Sequence, residues 1–296
     1  MSNSSPLKVR PAAELLDSEG AAQPFILDPI IAPGTAALVY GPAGVGKSFL
    51  ALGLVLAAAG GGGFLGWTAP RPHQVLYLDG EMRPEAVAAR LRLFGPPPPS
   101  LRMWLAAEHE GRRFDLATID GIDRLVQGWG DPDLVIVDSL SSLAGVTRND
   151  PDRWREMRYF LGVLRRSGRA IVLVHHANRD GAMRGISQRA DAMDLILALR
   201  RPRDWRPADG ARFELRPEKA RHLSGPALAP IEAQLCTGPD GIGRWLWHEG
   251  GNAALRKAVP LLQQGMKPEA VAKAIGVSPR TGYRLQAKAR VLGLTA

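Results

Sequence analysis

The chain has 296 residues, 45% hydrophobic and 23% charged, which excludes a disordered polyelectrolyte and leaves room for one large α/β domain and a small second one. A single cysteine, Cys236, excludes an intramolecular disulfide. No apolar run approaches bilayer length and the opening MSNSSPLKVR lacks a signal-peptide core, so the expectation is a cytoplasmic protein with no membrane association.

Residues 35–40 (TAALVY) form an apolar run that stops at a Gly-rich turn, which predicts a buried strand. Residues 48–59 are apolar nearly all round, which predicts a buried helix. Between them stand Gly41, Pro42, Ala43, Gly44, Val45, Gly46, Lys47 and Ser48, a complete G-x-x-x-x-G-K-[ST] match in strand-turn-helix context. Glycines there let backbone N–H groups turn inward around phosphate oxygens, and the helix N-terminus adds positive charge. The expectation is an ATP site lined by Gly41 to Phe49. Lys47 reaches the β- and γ-phosphates and the Ser48 hydroxyl holds Mg²⁺.

The next strand, at 75–78 (VLYL), runs into Asp79-Gly80-Glu81. A carboxylate at that strand end can orient and deprotonate a water, and Asp79 and Glu81 compete for the role. A helical pattern at 84–94 is followed by the rigid Gly95-Pro96-Pro97-Pro98-Pro99. Strands are expected at 101–106 and at 134–137, the latter carrying Asp138 at its carboxyl end as the metal-side acid. A helix at 154–166 and a strand at 170–174 lead to His175-His176. Adjacent strand residues face opposite ways, which makes the pair a poor zinc site, so one histidine is expected to sense the γ-phosphate. His175 is preferred, with His176 packed behind it. Further strands are expected at 195–199, 212–215 and 244–247. Strands alternating with helices imply a mostly parallel sheet with right-handed crossovers.

Gly250-Gly251-Asn252 reads as a linker, giving an N-terminal segment 1–23, an ATPase domain 24–250 and a C-terminal domain 253–296. The last of these sets eight basic residues against Glu269 alone, a net +7 of the chain's +9, and leaves +2 for the rest. Such a tail points to an acidic partner, usually nucleic acid. Pro268 at a helix start, Gly276 past its end and Ser278 as the next N-cap give a helix-turn-helix pattern. Ala270, Val271, Ala274, Ile275, Val277, Tyr283 and Leu285 are the expected small core. Arg280, Thr281 and Arg284 stand where base edges are met, and Lys288 and Arg290 where phosphates are.

Taken together these residues resemble the RecA-like P-loop ATPases, and more narrowly the RepA-type hexameric helicases of plasmids. The P-loop, YLDGE, LVIVD and LVHHANRDG followed by RGIS carry the resemblance, across roughly residues 24–247. It implies Glu81 as catalytic base and the first histidine of the pair as sensor. It also implies a channel loop at 178–187 whose Arg179 and Arg184 touch single-stranded DNA, Arg179 standing where the family usually has Lys. The family's intersubunit arginine falls on Asp194 and is not carried over. Lys219 and Arg221, in a K-x-R similar to that of DnaB-like ring proteins, are the expected trans-acting pair. The resemblance implies a homo-oligomer, a hexamer, that moves on single-stranded DNA with ATP and Mg²⁺. An ATP-switched DNA-binding regulator or loader, or a recombinase-like strand binder without unwinding activity, is the alternative.

Overall fold

A computed structural model describes residues 9, 11–14, 24–109, 115–145, 151–177, 187–238, 240–249 and 253–291. In chain order the elements are β1 (Ala36–Gly41), α1 (Lys47–Gly60), the hairpin β2 (Gly63–Phe64) and β3 (Trp67–Thr68), β4 (Val75–Asp79), α2 (Pro84–Arg92), β5 (Leu101–Leu105), α3 (Ile119–Gly128), β6 (Leu134–Asp138), α4 (Leu140–Ala144), α5 (Pro151–Arg166), β7 (Ala170–His176), α6 (Ser187–Ala192), β8 (Leu195–Arg200), β9 (Arg212–Ala220), β10 (Ile231–Thr237), β11 (Gly243–Glu249), α7 (Ala253–Gln263), α8 (Pro268–Ile275) and α9 (Pro279–Val291).

Nine strands form one sheet in the order β11-β10-β9-β8-β1-β7-β6-β4-β5. The six from β8 to β5 pair in parallel, and β9, β10 and β11 extend the sheet antiparallel. Strands covered on both faces read as continuous apolar runs, which is why LVIV and AIVLV were legible as strands. One face packs on α1 and the β2–β3 hairpin through Val39, Leu50, Leu54, Phe64, Tyr77, Ile136 and Val172. The other packs on α3, α4 and α5 through Leu38, Leu76, Leu125, Val137, Phe160 and Leu173. The parallel strand order leaves the carboxyl ends of β1, β4, β6 and β7 side by side, where ligands bind in open α/β sheets. No described helix is long and apolar enough to cross a membrane.

The strand β10 and the helix α3 have no counterpart in the sequence expectations. At the C-terminus α7, α8 and α9 close on their own small core of Leu255, Ala258, Leu262, Val271, Leu285 and Ala289. Val271, Leu285, Ile275 and Val277 lie in or against it as expected. Ala270, Ala274 and Tyr283 are exposed instead, because α8 turns Pro268, Val271 and Ala272 inward, and the Tyr283 hydroxyl donates to Glu269. The expected linker at 250–252 lies outside the described residues.

Candidate active site

The P-loop turns sharply between β1 and α1. Gly46 has φ +112°, which a side chain rarely adopts, and a Cβ there would lie 3.1 Å from the Phe213 ring beneath it. Phe213 is itself fully buried, so the turn rests on packed core. Lys47, the first residue of α1, is 5% exposed, and its Nζ donates to the carbonyls of Gly41 and Pro42 at 3.0 and 2.9 Å. Burial pulls the ammonium below its ordinary range, and the carboxylates of Asp138 and Glu81 oppose that pull. A desolvated cation folded onto its own loop's carbonyls fits a site that takes anionic oxygens. Ser48, the second residue of α1, brings a hydroxyl and Asp138, the last of β6, a carboxylate, both oxygen donors of the kind Mg²⁺ takes.

Asp138 ends β6 in register with Asp79 at the end of β4. The buried hydroxyl of Tyr77 donates to Asp138 Oδ2 at 2.6 Å and fixes that carboxylate. Asp79 is 1% exposed, and its Oδ1 accepts the backbone N–H groups of Glu81 and Met82 at 2.8 and 2.7 Å. It thus shapes the turn that carries Glu81. Glu81 reaches out of that turn with its side chain about half exposed. Its Oε1 accepts the Ser139 hydroxyl at 2.5 Å and lies 3.1 Å from His176 Nε2. Ser139 is buried and tied by its own capping box to Ser142, so it holds Glu81 from a rigid position.

The two strand-end acids are pushed apart electrostatically. Burial raises the Asp79 carboxyl above its ordinary range, against its two backbone bonds, and Asp138 and Glu81 add to the rise. Burial pushes Glu81 the same way, but its bonds with Ser139 and His176 and the nearby charge of Lys47 outweigh it and hold Glu81 low. Of the two, Glu81 is the carboxylate that is held low and faces solvent.

The histidines divide as strand alternation requires. Val172 and Val174 face α1, and His176 follows them to Glu81, whereas His175 follows Ile171 and Leu173 toward the other face. The expectation preferred His175 over His176 for the phosphate side, and the contact with the candidate base is made by His176. Lys219 and Arg221 lie far from this chain's own P-loop. Ala220 pairs with Leu195 and Leu195 with Ala37, which puts them at the end of the sheet opposite Gly41. Lys219 donates to the Ala190 carbonyl, and Arg221 donates to the Asp191 carbonyl and pairs with Asp194. Asp194, which stands at the family's finger position, is 7% exposed and also binds Arg165 and the Ala36 N–H.

Sequence reasoning missed Ser139, Tyr77 and Arg201. The Arg201 guanidinium lies 4.0 Å from the Trp205 ring centroid and reaches to 3.5 Å from the Gly44 carbonyl, a cation beside the P-loop from the same chain. Arg179 and Arg184 lie outside the described residues, as does the Lys288 side chain. Arg280 and Arg284 are exposed and Thr281 is half-buried at the start of α9, where Ser278 Oγ accepts the Thr281 N–H at 3.2 Å.

Comparison with solved structures places the fold among RecA-like ones. The flagellar accessory protein FlaH from Methanocaldococcus jannaschii aligns with a TM-score of 0.50 at 11% identity, over 73% of this chain and 91% of that one. A KaiC-like protein from Pyrococcus horikoshii OT3 aligns with a TM-score of 0.47 at 15% identity, over 72% and 90%. No curated protein matches the sequence. The family profile described as AAA domain matches residues 3–182, a span that holds the P-loop, Glu81, Asp138, Ser139 and both histidines. The fold is that of the RecA-like P-loop NTPases, and the chain belongs to the AAA domain family.

Proposed function

We propose that this chain is the subunit of an ATP-hydrolysing, DNA-associated ring motor, a RepA-like hexameric helicase that translocates on single-stranded DNA. The observation that carries the reading is Glu81 held by Ser139 and His176, with the charge of Lys47 nearby. Both contacts use Oε1, which leaves Oε2 to orient a water and take its proton as it attacks the γ-phosphate. Lys47 releases its two carbonyls for the phosphates, and the N–H groups of Ala43 to Ser48 close round them. Mg²⁺, held by Ser48 and Asp138, would offset charge on the phosphate oxygens. His176, at the base, is the better-placed phosphate sensor, with His175 as the family's choice.

Lys219 and Arg221 sit at the end of the sheet remote from their own P-loop, which suits a finger offered to the next subunit. Arg179 and Arg184 are the proposed channel contacts. Residues 253–291 are proposed as a helix-turn-helix unit that meets duplex DNA with Arg280, Thr281, Arg284 and Lys288. That unit also favours a second reading, an ATP-switched regulator or loader, because the start of α9 leaves Arg280 and Arg284 exposed.

Two assays on the full chain decide the matter. Glu81→Gln should lower turnover by roughly 10²–10⁴-fold while ATP binding persists; undiminished turnover would remove Glu81 from the role of base. Strand displacement on a forked duplex, driven by ATP, is expected of the motor. ATP-dependent binding to DNA without displacement would leave the regulator.

A further inference from the structure

The nucleotide site occupies the strand ends on the face that carries α1. A second concavity lies elsewhere. A cavity of about 360 Å³ opens between β5 and α3, and Leu76 and Leu125 in its lining belong to the core of the opposite face. β5 is the edge strand, four places from β1 in the sheet. At about 4.8 Å per strand that is roughly 19 Å from the P-loop strand, too far for the cavity to serve the same phosphates.

Its side chains combine flat rings with guanidinium cations. Trp104 and His109 line it as a parallel stack, ring centroids 4.9 Å apart and planes 7° apart. Trp129 lines it too, braced by the Arg169 guanidinium 5.1 Å over its ring. Arg102 and Arg124 also line it and are both exposed. Among the described residues Arg124 has only a 3.7 Å contact with Asp120, an acid 82% exposed, which leaves its charge available to an anion.

An apolar ligand would leave the two guanidinium groups unused. A simple inorganic anion would leave the rings unused. A ligand that joins a planar ring to a phosphate uses both, since bases stack on aromatic faces and the guanidinium fork matches phosphate. The volume lies in the range of small-molecule sites. We propose that the β5–α3 cavity is a second binding site, taking a nucleobase that carries a phosphate, either as a free mononucleotide or as one unit of a single strand. Its single-strand form rests on the DNA reading above; its mononucleotide form does not.

Photo-cross-linking tests it on the full chain, with a non-hydrolysable ATP analogue filling the P-loop. One arm uses oligothymidylate carrying 5-iodouracil, the other 5-iodouridine monophosphate. Adducts on Trp104, His109 or Trp129 are expected in at least one arm. The double variant Arg102→Ala, Arg124→Ala should weaken that probe by about tenfold and leave DNA-free ATP turnover unchanged. Labelling of the cavity by the monophosphate without oligonucleotide binding would support the site and end the DNA reading. Oligonucleotide adducts confined to residues 178–187 or to the C-terminal helices, with the monophosphate absent from the cavity, would keep the DNA reading and overturn the site. Unchanged affinity in the double variant would overturn it as well.

Discussion

The chemistry of Glu81 depends on one hydroxyl 58 positions away in sequence. Ser139 donates to Oε1 at 2.5 Å and is the first of the hydrogen bonds that keep this carboxyl low despite burial. A general base works only above its own pKa, so turnover falls as pH drops through it. Ser139→Ala removes a bond to the charged form, which raises the Glu81 pKa and moves the acid limb of the turnover profile to higher pH. The pH profile of ATP hydrolysis checks this, and an acid limb that stays in place would show that Ser139 serves the turn alone. Glu81 was legible in the sequence because a strand-end acid after VLYL is local information. Ser139 was not, because a serine gains meaning only when β4 and β6 lie side by side. Asp79 shows the same limit. Both acids read alike in DGE, and only burial shows that Asp79 spends one oxygen on the N–H groups of Glu81 and Met82.

At the scale of elements, the parallel half of the sheet was legible and the antiparallel half only in part. Apolar runs such as LVIV and AIVLV need no partner to be read as buried strands. The strand β10, IEAQLCT, alternates buried and half-exposed positions only from Ile231 to Gln234 and mixes polar with apolar residues, so its identity comes from pairing with β9 and β11. The helix α3 contains Gly121 and ends at Gly128, which makes its sequence read as loop, although Thr118 caps it by accepting the Gly121 N–H. In the C-terminal unit Gly282 of α9 is set by contact. A Cβ there would lie 2.3 Å from the Pro268 carbonyl oxygen and 2.9 Å from the Ala272 Cβ. Gly282→Ala therefore forces α8 and α9 apart, at a cost of about 1–3 kcal/mol. Chemical denaturation followed through the C-terminal helices measures it, and a stability equal to the parent would mean the crossing has slack. The sequence offset of the α8 face, with Pro268 and Ala272 inward and Ala270 and Ala274 outward, follows from this same close crossing.

For the whole molecule, Lys47 and Arg201 bring positive charge to the P-loop, while Lys219 and Arg221 stand at the far end of the sheet. From Ala37 to Gly41 is four strand residues, roughly 13 Å, so Arg221 of one chain does not reach its own γ-phosphate without unpairing β9 from β8. Its partners here, Asp194 and the Asp191 carbonyl, hold it at an end that a neighbouring subunit's P-loop could approach in a closed ring. A finger residue supplied between chains stabilises charge on the transferred phosphoryl group and raises turnover by about 10³–10⁵-fold. Arg221→Ala should therefore be nearly inactive although its own P-loop is complete. Lys47→Ala should be inactive although its Arg221 is intact. In a random equal mixture about a quarter of the interfaces join a sound P-loop to a sound finger, so mixing two inactive proteins should restore up to about a quarter of wild-type turnover. Recovery that depends on total protein concentration would tie the finger to assembly. If the mixture stays as inactive as its components, Arg221 acts within its own chain, through Asp194 and the start of β1, and the finger must be sought in another residue.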